Sequence, residues 1–81
     1  MSELEKAIAR LRRRPPEASF ADVLRVMRAY GWEPWDSDRR HVVFKRPGHP
    51  SITVATANGK VKRVYVVQVC GLLGLDEDLE G

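Results

Sequence analysis

Cysteine is nearly absent: Cys70 is the only one in 81 residues. A lone thiol excludes an internal disulfide and any metal site built from several cysteines, and it suits a reducing cytoplasm. Long apolar runs are missing too. No stretch reaches the about 18 residues that a membrane span needs, and the N-terminus lacks the apolar centre of a secretory leader. Histidine is scarce, with only His41 and His49. No Asp/Glu/His group has metal-ligand spacing, so neither a metal nor another cofactor is expected. There is no internal repeat and no low-complexity segment. The most informative absence is of acidic residues. None falls between Arg39 and Arg63, a stretch of 25 residues that holds Arg39, Arg40, Lys45, Arg46, Lys60, Lys62 and Arg63. Its local charge is therefore near +7, although the whole chain carries only +3, and Asp76, Glu77, Asp78 and Glu80 crowd the C-terminus. Such a segment suits an anionic partner, nucleic acid first, or is simply a solvated basic face.

What is present suffices for one small domain. A hydrophobic content of 43% supports a single core but not a deep enclosed cavity as well. Any site is therefore expected on an open surface or in a shallow groove.

The chain divides into recognisable pieces. Ser2 and Glu5 form a capping box for a first helix, whose Leu4, Ile8 and Leu11 share one face. Arg12, Arg13 and Arg14 stand at its end and Pro15-Pro16 stops it. With so thin an apolar stripe, residues 1–16 read as an extension, either docked or fraying, ahead of a domain over 17–81. Ser19 caps a second helix, with Asp22 completing its box. Phe20, Val23, Leu24, Met27 and Tyr30 repeat at helical spacing before Gly31 ends it. Trp32, Pro34 and Trp35 form a stiff aromatic exit; either Trp packs over the core edge or stacks on a base. Residues 36–38 read as a turn. His41 to Arg46 reads as a strand, Pro47-Gly48-His49-Pro50 as a turn and Ser51 to Thr56 as an alternating strand, together a hairpin. Asn58-Gly59 marks a further turn or loop. Val61 to Leu75 is ambiguous. Its valines favour a strand, yet Val66, Val69, Cys70 and Leu73 lie at helical spacing.

Three stretches carry a family resemblance: SFADVLRVMRAYGWE, RRHVVFKRPG and NGKVKRVYVVQVCGLLGL. They resemble, in order, the opening helix with its terminal glycine, the Gly-Ser-His-His strand with its following basic residue and Pro-Gly, and the basic loop with the final helix of the HicA family of toxin-antitoxin ribonucleases, also called YcfA-like. The resemblance covers about residues 19–75. It implies an α+β fold like a double-stranded-RNA-binding domain: an α-β-β-β-α order with a three-stranded antiparallel sheet and both helices on one face, here with an extra N-terminal helix. On that basis Val64 to Leu73 is assigned to a helix. The third strand is left to the region of Trp32 to Trp35 or of Thr56 to Val61.

The resemblance also implies a function: a metal-independent endoribonuclease, an mRNA interferase, that cuts messenger RNA and is held inactive by a HicB-like antitoxin protein. No membrane is involved. Transfer of a phosphodiester to the neighbouring 2′-hydroxyl needs a base, an acid and positive charge at the phosphate. Histidine suits either proton role because its ordinary pKa is about 6.5. His41 is the candidate catalytic residue, with Arg39, Arg40, Lys45, Arg46, Lys60, Lys62 and Arg63 for RNA. Lys60, Lys62 or Tyr65 can fill the second proton role. This chain departs from the family pattern in one place: Gly-Ser is replaced and only one histidine is present. Counted forward from the helix, Asp38 and Arg39 replace Gly-Ser and His41 takes the catalytic position. Counted back from Phe44 and Pro47-Gly48, Val42 takes it instead, and the protein is a catalytically inactive RNA- or antitoxin-binding module. A slip of one residue turns a strand side chain to the opposite face. We adopt the forward count, since a histidine flanked by basic residues is otherwise unexplained.

Overall fold

The computed structural model describes residues 2–38 and 40–75. Arg39 and the acidic tail from Asp76 onward lie outside them. The first helix, α1 (Glu3–Arg12), starts as the capping box requires. Ser2 Oγ accepts from the Glu5 amide at 3.0 Å, and the Glu5 carboxylate accepts from the Ser2 amide at 2.9 Å. This helix is docked, not fraying: Ala7 and Leu11 are fully buried in the common core.

A short strand, β1 (Glu17–Ser19), follows the proline pair and leads straight into α2 (Phe20–Ala29). Ser19 caps α2 by accepting from the Ala21 amide at 3.1 Å. Asp22 does not complete a capping box as its spacing suggested. Its carboxylate faces α1 instead and takes both arms of the Arg10 guanidinium, Nε at 2.7 Å and Nη2 at 2.9 Å. A forked, charge-assisted pair of this kind outcompetes a single local amide. Gly31 ends α2 at φ +93°, a backbone that a side chain would strain.

The chain then runs through β2 (Glu33–Ser37), β3 (His41–Lys45) and β4 (Ile52–Ala55), which form one antiparallel sheet in the order β2-β3-β4. The third strand therefore lies in the Trp32 to Trp35 region. Asp36 and Ser37 belong to it, not to a turn as expected, because their backbones pair with Val43 and Val42. The register shifts between Pro34 and Asp36, so Trp35 sits at a bulge. The Asn58-Gly59 turn is tight. Both residues have positive φ, and Ala57 and Lys60 exchange amide bonds of 2.9 Å each way, the geometry of a two-residue hairpin turn. It delivers β5 (Lys60–Lys62), which pairs with β1 in a second, two-stranded sheet.

The last helix, α3 (Arg63–Leu73), ends at Gly74 in the left-handed conformation. Its valines do not prevent helix formation because burial decides. Val66, Val69 and Cys70 are fully buried, and the Cys70 thiol lies 3.2 Å from the Leu11 carbonyl. Val64, Val67 and Leu72 remain on its exposed side. The core unites Val23, Val26 and Met27 of α2, Val42, Phe44 and Val54 of the sheet, and the buried side of α3. The chain is thus a small α+β fold whose antiparallel sheet buries one face. No described helix is long and apolar enough to cross a membrane.

The bond between Arg10 and Asp22 yields a prediction. Arg10 holds the Asp22 carboxyl below the usual carboxylate range, chiefly through the hydrogen bonds. A depressed folded pKa stabilises at pH values above the unfolded pKa, and that contribution is lost as pH falls through the folded one. Asp22→Ala is expected to lower the unfolding free energy by about 1–2 kcal/mol near neutral pH, measured by urea denaturation, and to flatten its decline in acid.

Candidate functional site: a basic groove beside His41

The alternation of β3 sets the site. Val42 and Phe44 point into the core, so His41, Val43 and Lys45 face the other way. On β4, Val54 is inward opposite Val42, while Ala55 stands beside His41 on the open face. His41 is accordingly exposed, on the same strand face as Lys45. Val42 is 7% exposed and cannot reach a ligand on that face.

Asp38 closes the hairpin between β2 and β3. One of its carboxylate oxygens accepts from the amides of Arg40 and His41, both at 2.8 Å. The Asp38 amide donates to the His41 carbonyl at 3.0 Å. The same oxygen lies 3.6 Å from His41 Nδ1, an ion pair when the imidazole is protonated. These contacts, led by the Arg40 amide, keep the Asp38 carboxyl ionised below its ordinary pKa. The carboxylate thus fixes the backbone at His41 and lies beside one edge of its ring.

A groove of about 330 Å³ opens in front of His41. Arg40, Ala55, Thr56 and Ala57 line one part of it, and Lys60, Lys62 and Tyr65 the other. Lys60 and Lys62 project together because Val61 between them is buried. Tyr65 joins them from the first turn of α3. Four of the expected residues, Arg40, His41, Lys60 and Lys62, therefore meet at one place, with Tyr65 next to them. Thr56 was not expected there. Its amide donates to the Arg40 carbonyl at 2.6 Å, which extends the pairing of the two strands beyond the sheet proper. No composition signal marks such a residue.

The remaining expected cations stand elsewhere. Lys45 and Arg46 line a separate hollow with Trp35 and His49. Arg63 donates from Nε to the Arg14 carbonyl at 2.9 Å and lines a cleft with Pro16 and Glu17, so it has a structural task tying α3 to the end of α1. Arg39 is outside the described residues. Of the two tryptophans, Trp32 is buried with the His49 ring 5.6 Å away, whereas Trp35 is exposed.

Chemically, the groove offers one imidazole able to give or take a proton, a phenol, two lysines and an arginine, with an orienting carboxylate at the imidazole's edge. Compared with protein-family models, with curated proteins and with solved structures, the chain matches none.

The Asp38 contacts are open to direct measurement. Asp38→Ala is expected to speed amide hydrogen exchange at Arg40 and His41, read by NMR, without unfolding the core, since Asp38 is exposed. In the native protein, protection of these two amides is expected to hold above the ordinary carboxylate pKa and to fade as acid protonates Asp38, whose folded value is lowered.

Proposed function

We propose that the protein is a HicA-like toxin, a metal-independent endoribonuclease that cuts messenger RNA at the groove beside His41. The observation that carries this reading is the placement of His41. It stands on the open face of β3 and lines one groove with Arg40, Lys60, Lys62 and Tyr65, while Val42 is spent on the core. The reaction divides among these groups. Lysine and arginine hold the phosphate and offset charge as it builds on the non-bridging oxygens. His41 takes the 2′-hydroxyl proton or gives one to the leaving 5′-oxygen. Tyr65 or one of the lysines serves the other oxygen. Asp38, whose carboxylate lies 3.6 Å from Nδ1, steadies the ring.

The order of elements supports the same reading. A helix, a three-stranded antiparallel sheet and a last helix ending in Leu-Gly-Leu occur in the sequence expected of a fold like a double-stranded-RNA-binding domain. Here α1, β1 and β5 are added to that plan. A HicB-like antitoxin has a surface to use in the exposed apolar side chains Val64, Val67 and Leu72 of α3. The protein acts in the cytoplasm, where its messenger RNA substrate is found.

Purified protein incubated with a mixed RNA in EDTA tests the proposal. Cleavage is expected, and His41→Ala is expected to lower its rate by about 100-fold or more, the usual worth of a positioned acid or base. Intact RNA under all conditions sinks the ribonuclease. Salt-dependent binding without cleavage identifies an inactive binding module of the same fold.

A further inference from the structure

We propose that Trp35 and Lys45 form a stacking site for an unpaired nucleobase, so that RNA reaches the groove at His41 as a single strand. This rests on the ribonucleolytic reading of that groove and adds the form of the substrate to it.

Trp35 is 70% exposed, the most exposed of the large apolar side chains among the described residues. Burial therefore does not explain it; its neighbour Trp32 serves the core instead. The bulge in edge strand β2 carries Trp35 past the register of its partners. Lys45 Nζ lies 5.4 Å from the centre of its ring. The two side chains share a hollow of about 380 Å³ with Arg46 and His49. An aromatic surface beside cations is what a base and its phosphate require. Stacking accepts any base, because each has a π-face, and the cations take the backbone. One acid, Glu33, also borders the hollow; it pairs with Arg28 at 3.8 Å and stands opposite Lys45 in the sheet.

The position of this hollow fits its use. Lys45 and His41 lie on the same face of β3, four residues apart, which is about 13 Å along a strand. A strand stacked on Trp35 can thus run along the open face of β3 from Lys45 and Arg46 to Arg40 and His41, with Glu33 opposite Lys45 and Asp38 beside His41 as acids near the two ends of that path. A base inside a duplex hides its faces against its neighbours and cannot lie on Trp35. The charge is why a nucleic acid, not a protein, is assigned to this corner.

The test is binding of a short, unstructured RNA made uncleavable by 2′-O-methyl groups, compared with a duplex of the same sequence, in the full-length protein. Wild type is expected to bind the single strand more tightly and to show quenched tryptophan emission, since Trp35 is the exposed fluorophore. Trp35→Ala is expected to weaken single-strand binding by about 5- to 150-fold, the range measured for base-aromatic stacks, with duplex binding unchanged. Trp35→Phe, which keeps a ring, is expected to restore most of the affinity and guards against a misfolded alanine variant. Equal binding by wild type and Trp35→Ala, or equal loss on both RNAs, overturns the stacking site while leaving the ribonuclease in place. A wild type that binds neither RNA overturns both.

Discussion

Phe44 and Val42 must be buried together, and most of the structure follows from that constraint. They are the apolar positions of a five-residue strand, and the core closes over them with side chains from α2 and α3. Because strand side chains alternate, burying these two turns His41 and Lys45 outward with no further instruction. The opposite register would place an imidazole and an ammonium in a dry core and leave a phenylalanine in water. Each of those buried polar groups alone would cost several kcal/mol unless hydrogen-bonded. The position of the histidine is thus enforced by its apolar neighbours and not by its own contacts. Asp38 then refines it, through two amide bonds and a carboxylate at the ring edge.

The same alternation organises the charge. Val61 is buried in the short β5, so Lys60 and Lys62 face out side by side. Positive groups from distant parts of the chain gather at His41 because the backbone elements that carry them are pinned by hydrophobic side chains. Arg10 and Arg63 are spent differently. One ties α1 to α2 through Asp22, the other ties the start of α3 to the Arg14 carbonyl. Cations in a basic protein are therefore not equivalent, and those engaged in bonds within the fold contribute less to a ligand than those left on the open face.

Much of this was legible in the residues. The apolar spacing of α2, the Pro-Gly hairpin and the glycine after α3 each mark their elements, whereas the run Val42-Val43-Phe44 marks a strand without showing which of its faces His41 takes. Three features were not. β1 and β5 are three residues each and pair across more than 40 positions of sequence, so neither shows a usable periodicity. The bulge at Trp35 breaks the alternation of β2 where Pro34 already obscures it, and Asp36 then resembles a turn residue. Asp22 had a plausible local partner in the Ser19 cap. Only the approach of α1 reveals Arg10 as the stronger one. Within the site, His41 and the lysines are visible by residue type, whereas Thr56 and the orienting part of Asp38 depend on hairpin geometry.

The groove at His41 is proposed to carry out transfer of a phosphodiester to a neighbouring 2′-hydroxyl. That reaction is tested most directly by giving the protein two strands of one base sequence, one RNA and one with every 2′-hydroxyl replaced by hydrogen, and analysing the ends produced. Only the RNA is expected to be cut, with new 3′ ends that carry a 2′,3′-cyclic phosphate. Cutting of both strands, or RNA fragments that form directly with a free 3′-hydroxyl, would contradict it.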